Sequence, residues 1–348
     1  MLCGGDKAPK EAISGAVKAT KEIEANILLV GNEEIILSKI KELYGKDKIE
    51  EVSDKLKIYN TTEEILMEDI PTEAIKHKKN SSMVVGFNLL KDGQGDVFIS
   101  AGNSGALLTG AILLVGRIKG IERPAIAPML PAYKKGFMLV DAGANTNCRP
   151  LNLVQFAQMA TIYLKNTYNI ASPVIGLLNI GTESTKGNDL MKETYKLLNE
   201  NKEAYGINFY GNIEGRDVFK GKIDALVTDG FTGNVFLKTV EGMGKFVKQG
   251  LTESFKKNIF TMLGCIPALP SIKTFQDTVD YKKYGGALFL GVKKPVVKAH
   301  GSSDEELFHF TIKQAEQFVK SNAVSKMAEE FEKIKTNTWQ LKEHIILL

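Results

Sequence analysis

The chain has 348 residues, 43% of them hydrophobic and 25% charged, with a formal net charge of +4. This fits a globular protein with ample length for a large core, and so mild a charge, without stacking aromatics or a base-reading motif, gives no support for nucleic acid as a partner. No stretch reaches the roughly 18 uninterrupted apolar residues of a membrane span, and no basic region followed by an apolar one opens the chain, so the sequence reads as cytoplasmic.

Gly4-Gly5-Asp6-Lys7-Ala8-Pro9 precedes a predicted helix whose apolar face carries Ile13, Val17 and Ile23; Pro9 suits a first turn. Asn26 to Gly31 is a buried-strand pattern, and Asn32 is the expected cap of a helix running to Tyr44 and Gly45. Leu56 to Tyr59 is a further short strand, and this alternation predicts a layered α/β sheet. Pro71 to His77 and Ser82 to Leu90 read as helices joined by a solvated polar turn.

Asp96 to Ile99 reads as a strand that ends in Gly102-Asn103-Ser104-Gly105 and opens an apolar helix to Val115. Such a turn can aim backbone N–H groups at an anion; the alternative is a tight turn with Ser104 as helix cap. The prolines of Arg123 to Pro131 predict an extended segment. Phe137 to Val140 is a strand ending in Asp141-Ala142-Gly143-Ala144-Asn145, followed by a helix over Pro150 to Tyr168. Val174 to Gly181 is a third strand of this kind, whose loop carries Thr182 to Asn188 ahead of a helix from Asp189. Ile207 to Tyr210 is a strand ending in the polar turn Gly211 to Asp217. Ile223 to Val227 ends in Thr228-Asp229-Gly230-Phe231-Thr232-Gly233-Asn234 and a helix to Lys257. Leu288 to Val292 and Pro295 to Lys298 are late strands ending in Ala299-His300-Gly301-Ser302-Ser303-Asp304, and a final helix passes through Phe310, Ala315, Phe318 and Val319. Cys3, Cys148 and Cys265 form no CxxC pair, which suits a reducing compartment. The chain reads as one α/β catalytic domain over 1–335 with an amphipathic insertion near 250–275, and a tail over 336–348.

Five strand ends have the same character, being small, polar, glycine-rich and leading into helix. In open α/β sheets, ligands bind outside the carboxyl ends of the strands, so five such loops predict a polar cleft for an anion such as phosphate. Each residue has a second reading. Asn103 and Ser104 either donate to phosphate or cap their helix. Asp141 either orients a partner or a metal, or caps the next turn. Lys186 either neutralises an anion or oxyanion or is simply exposed. Arg216 either clamps an anion or pairs with Glu214 or Asp217. Asn234 is an oxyanion donor or a helix cap, and His300 an acid or base or a histidine satisfied by backbone. Nothing near Cys148 in sequence activates it as a nucleophile. Phe255 to Pro270 mixes lysines with large apolar residues, which suits either a membrane surface or a dimer or core contact.

Taken together, Gly4 to Pro9, Ser100 to Ala106, Val140 to Asn145, Gly211 to Asp217, Thr228 to Asn234 and His300 to Ser303 resemble the bacterial phosphate acyltransferases of phospholipid synthesis, the PlsX family, in order along nearly the whole chain. The resemblance implies transfer of a fatty acyl group from acyl-[acyl carrier protein] to inorganic phosphate, giving acyl phosphate for phosphatidic acid. It implies a three-layer αβα fold with a largely parallel sheet, like phosphate acetyltransferases and isocitrate dehydrogenase-like proteins. It further implies a homodimer and peripheral association with the inner face of the membrane, where the downstream glycerol-3-phosphate acyltransferase works. No cofactor or metal is implied. The family also carries a short apolar strand ending in Asp-Ala-Met ahead of Gly-Gly-Asp, where this chain has Met1-Leu2-Cys3.

On that reading, amides around Asn103, Ser104 and Gly105 and around Gly143 and Asn145 hold phosphate, with Asp141 and Asp229 among the residues that bind phosphate or substrate. Lys186 and Asn234 steady phosphate or the thioester oxyanion, and His300 and Ser302 line the pocket. Phe255, Ile259, Phe260 and Leu263 form the membrane or partner face, and Lys256, Lys257, Lys282, Lys283, Lys293 and Lys294 are candidates for docking the acidic carrier protein. The alternatives are a phosphate acetyl- or butyryltransferase using acyl-coenzyme A, and a non-catalytic membrane scaffold. A dehydrogenase lacks its Gly-x-Gly-x-x-Gly fingerprint here.

Overall fold

The computed structural model describes residues 9–45, 54–133, 135–264, 266–279 and 281–333. Gly4 to Ala8, Cys3, Cys265 and the 336–348 tail lie outside the described residues. The elements in chain order begin with α1 (Lys10–Ala19), β1 (Ile27–Gly31), α2 (Glu33–Tyr44), β2 (Leu56–Asn60), α3 (Pro71–His77), α4 (Ser82–Lys91), β3 (Phe98–Ser100) and α5 (Ser104–Gly110). They continue with β4 (Ala125–Ala127), β5 (Met129–Leu130), β6 (Phe137–Val140), α6 (Pro150–Tyr168), β7 (Val174–Asn179), α7 (Asp189–Asn201), β8 (Asn208–Glu214), β9 (Ala225–Val227) and α8 (Gly230–Phe255). The last are α9 (Ile259–Gly264), α10 (Leu269–Val279), β10 (Ala287–Leu290), β11 (Val296–Lys298) and α11 (Glu305–Lys320).

The chain divides into two compact units: Met1–Pro128 with Gln158–Ser172 and Lys282–Leu348, and Met129–Ala157 with Pro173–Tyr281. In the first, β1 and β2 pair in parallel, and a four-stranded sheet runs in the order β3-β11-β10-β4. Only β3 and β11 are parallel in that sheet, which brings Ser100 level with Lys298. Ile13, Val17, Leu29, Ile36, Ile40 and Phe308 form a core here. The spacing of these residues on α1 and α2 is the one-face pattern of amphipathic helices. Asn32 caps α2 as expected, its side chain accepting from Ile35 N at 3.1 Å.

The second unit holds a five-stranded sheet in the order β5-β6-β9-β7-β8. All pairings but β5 with β6 are parallel. Every residue of β6 and β9 is buried, as the apolar runs Phe-Met-Leu-Val and Ala-Leu-Val require of strands covered on both faces. This is the α/β class read from the sequence, with its parallel pairings concentrated in this sheet.

Four details differ from the sequence reading. Gly211 to Glu214 is strand rather than turn: β8 bulges between Phe209 and Gly211 and continues beside β7, which the φ of +110° at Gly211 permits. The helix after Asn103 turns from α to π geometry over Ala111–Val115. Asn103, not Ser104, caps α5, and Asp229, not Asn234, caps α8. An Asn or Asp just outside helical geometry can turn its oxygen back on the first helical amides, and each sits one residue before its helix begins.

Candidate functional site

In the second unit the strand order lines up four carboxyl ends. Val140 stands level with Val227, Val227 with Leu177, and Asn179 with Glu214. The loops leaving β6, β9, β7 and β8 therefore emerge along one edge. The turn after β6 is organised by Asp141, which is fully buried. Its Oδ1 accepts from Gly143 N at 3.2 Å and Ala144 N at 3.1 Å, and its Oδ2 from Asn145 N at 2.7 Å and Asn145 Nδ2 at 2.9 Å. The amides of Gly143 and Asn145, expected to hold phosphate, thus point at the Asp141 carboxylate. A carboxylate placed inside its own turn outcompetes an external anion for those donors.

The start of α8 packs directly on this turn. Gly230 N donates to Asn145 O at 2.7 Å. Asp229 holds the first turn, its Oδ1 accepting from Thr232 N at 3.0 Å and its Oδ2 from Thr232 Oγ1 at 2.7 Å. Asn234 is exposed, and a Cβ on Gly143 would lie 3.5 Å from its side-chain Cγ. Asp141, Gly143, Asn145, Asp229 and Asn234 are therefore brought together.

The loop after β7 carries Lys186. Its ammonium is exposed and makes no ion pair among the described residues. Its stem lies over Gly181, where a Cβ would meet Lys186 Cγ at 2.9 Å. Asn179 Nδ2 donates to Lys186 O at 3.1 Å, and Asn212 Nδ2 to Glu183 O at 2.8 Å. The sequence assigns neither asparagine an individual role, although Asn179 closes an apolar strand and Asn212 lies in the Gly211 to Asp217 motif. Arg216 is taken up by a carboxylate, its Nε standing 2.6 Å from Glu214 Oε2.

In the first unit, the parallel pairing of β3 with β11 places the Asn103 and His300 loops side by side, with Ala299 N donating to Ser100 O at 2.9 Å. Asn103 is 6% exposed and fully engaged. Its Oδ1 accepts from Ala106 N at 3.0 Å, while Nδ2 faces the carbonyls of Leu66, Met67 and Asp69 at 3.2, 3.0 and 3.2 Å. Its side chain is thus a clamp and cap rather than a phosphate donor. The N–H groups of Ser104 and Gly105 have no partner among the described residues. Ser302 N donates to His300 Nδ1 at 3.2 Å, and Ser302 Oγ lies 2.8 Å from the same nitrogen. Asp304 caps α11; burial raises its carboxyl, but Lys282 and Leu307 N–H outweigh this and hold it below its ordinary value. Lys282, a candidate docking cation, is therefore occupied by Asp304.

The stretch from α8 to residue 275 carries many exposed apolar side chains. Only Gly230 and Gly233 of the 26-residue α8 are buried among the described residues. Phe246 is 72% and Phe260 82% exposed, and Ile259 and Leu263 are exposed too, while Phe255 is half-buried. A separate open groove of about 490 Å³ lies between Arg149–Leu151 and Glu193–Glu200, with none of these loop residues in its lining. Among the described residues no group of three or more His, Cys, Asp or Glu is placed to hold a metal, and no helix is long and apolar enough to cross a membrane.

This architecture is shared with phosphotransacetylases. The EutD phosphotransacetylase of Staphylococcus aureus superposes with a TM-score of 0.56 at 12% identity, over 89% of this chain and 90% of that one. The likeness defines the class: an α/β protein of the phosphotransacetylase fold, its polar loops at the carboxyl ends of parallel strands. Sequence comparison goes further. The family model described as "Fatty acid synthesis protein" matches residues 1–326. The phosphate acyltransferase of Thermoanaerobacter pseudethanolicus is 44% identical over 94% of this chain and 95% of its own length. That of Clostridium perfringens is 43% identical over 95% of each. The chain belongs to this fatty acid synthesis protein family, in which these relatives are phosphate acyltransferases.

Proposed function

We propose that this acyltransferase moves a fatty acyl group from the thioester of an acyl carrier protein to inorganic phosphate. A phosphate oxygen attacks the thioester carbonyl; a C–O bond forms, the C–S bond breaks, and the thiolate leaves and takes up a proton as free carrier thiol. No covalent enzyme intermediate is needed, so the work is positioning and charge stabilisation. The observation that carries the reading is Lys186: an exposed ammonium, free of ion pairs among the described residues, whose loop is pinned to two neighbouring strands by Asn179 of β7 and Asn212 of β8. A cation so held suits phosphate or the oxyanion that develops on the carbonyl. Asn234 supplies a neutral donor beside Gly143, and the open amides of Ser104 and Gly105 are the donors left for an anion in the first unit. His300 and Ser302 stand beside them.

The exposed apolar residues Ile259, Phe260 and Leu263 support peripheral attachment to the inner face of the cell membrane or contact with a second copy in a homodimer. Membrane attachment would place the acyl phosphate near a downstream glycerol-3-phosphate acyltransferase. The test mixes the purified chain with palmitoyl-acyl carrier protein and follows free carrier thiol with and without inorganic phosphate. Phosphate-dependent release is expected, lowered about a hundredfold in Lys186→Ala. Release from palmitoyl-coenzyme A but not from the carrier protein would replace the donor; no release from either would overturn the reading.

A further inference from the structure

We propose that Asn179 and Asn212 are positioning residues for Lys186, acting by gripping the backbone of its loop; the proposal rests on the reading of Lys186 given above. Thr182 to Lys186 are all exposed, so little apolar burial holds this segment in one conformation. What holds it is polar. Asn212 reaches across from β8 to Glu183 O at 2.8 Å, Asn179 reaches from the end of β7 to Lys186 O at 3.1 Å, and Lys186 N closes the turn on Glu183 O at 3.2 Å. Both ends of a four-residue turn are thereby tied to neighbouring parallel strands.

The surroundings fit that role. Asn179 Oδ1 accepts from Ile180 N at 2.8 Å, which fixes the amide orientation that puts its N–H groups on the loop. Gly187 has a φ of +89°, and a Cβ there would stand 2.5 Å from Asn179 Oδ1, so the glycine leaves room for the grip. Asn212 is 3% exposed, and its Oδ1 finds no hydrogen-bond partner among the described residues. A buried amide with an unmet acceptor lowers stability, so stability alone does not account for an asparagine at this position; the hold on Glu183 O does. Lys186 itself bears on Gly181 through its stem, which turns a fixed backbone into a fixed reach for the ammonium. Misplacing a reacting group by about 1 Å can lower rates about a hundredfold.

Two readouts separate positioning from general support. The first is trypsin cleavage after Lys186 in the intact, full-length chain. Asn212→Ala and Asn179→Ala should speed cleavage at that bond about tenfold or more while leaving the α7 sites Lys192 and Lys196 unchanged. Unchanged cleavage at Lys186, or equal acceleration at all three sites, would overturn the proposal. The second is phosphate-dependent thiol release from palmitoyl-acyl carrier protein. Each asparagine variant, and Gly181→Ala, whose added Cβ presses on the Lys186 stem and the Glu183 carboxylate rather than on either asparagine, should lower turnover about tenfold or more. None should lower it further in a Lys186→Ala background. Independent, multiplying losses would sink the positioning role while leaving Lys186 in place. Full turnover in Lys186→Ala alone would remove the reading of Lys186 and this proposal with it.

Discussion

Gly233 lies so close to Asp141 that a Cβ on the glycine would stand 1.9 Å from the Asp141 carbonyl oxygen. The contact is backbone against backbone, so no side chain can swing away to relieve it. It seats the first turn of α8 on the turn after β6. Gly233→Ala should therefore destabilise the protein by about 3 kcal/mol, the upper range for overpacking. Gly244→Ala, farther along α8 with nothing within 4 Å of its added Cβ, should instead stabilise by about 0.5–1 kcal/mol through helix propensity. Urea unfolding of the two variants checks both signs; a neutral Gly233→Ala would mean the turn and helix are not held as described.

Asn103 combines two functions that substitution can separate. Aspartate keeps the oxygen that caps α5 but removes the N–H groups facing Leu66, Met67 and Asp69; alanine removes both. The expected order of stability is Asn, then Asp, then Ala, with Ala lower than Asn by about 2–3 kcal/mol from the lost cap and the unmet carbonyls. Hydrogen exchange should quicken at Leu66 to Asp69 in both variants, but at Ala106 only in Asn103→Ala.

His309 sets a pH dependence of stability. It is 4% exposed, and burial lowers its pKa below 6.5; Glu22 and Glu305 pull it back up, while Lys18 and Lys313 push it lower. Below about pH 6.5 the unfolded imidazole takes a proton that the folded one refuses. Stability therefore falls as pH drops from that point toward the folded pKa, by at most about 1.4 kcal/mol per pH unit. Urea unfolding at pH 7.5 and 5.5 should show a larger loss in the native chain than in His309→Gln. Equal losses would place the dependence elsewhere.

Much of the fold was legible because its signals are local. Asn32 announces α2, Pro71 to His77 and Pro150 to Tyr168 match α3 and α6 residue for residue, and the buried apolar runs mark β6 and β9. Caps and periodicity act within a few residues, so they survive in the bare sequence. The candidate loops were legible for the same reason, since each glycine-rich strand end carries its own turn chemistry. The bulge that carries β8 through Gly211 was hidden, because it depends on pairing with β7 rather than on the strand's own residues.

The sequence by itself determined the α/β class, the strand-end loops, and the family motifs that point to phosphate and an acyl donor. Only the tertiary structure decided how each polar group is used. It turned the Gly143 to Asn145 amides onto Asp141, engaged Asn103 with residues 34 to 37 positions earlier, and tied Asn212 to a loop 29 positions away while leaving the Lys186 ammonium free of ion pairs among the described residues. A hydrogen bond needs its two partners within about 3 Å, and for groups so far apart in the chain that distance exists only once the sheet has set their register.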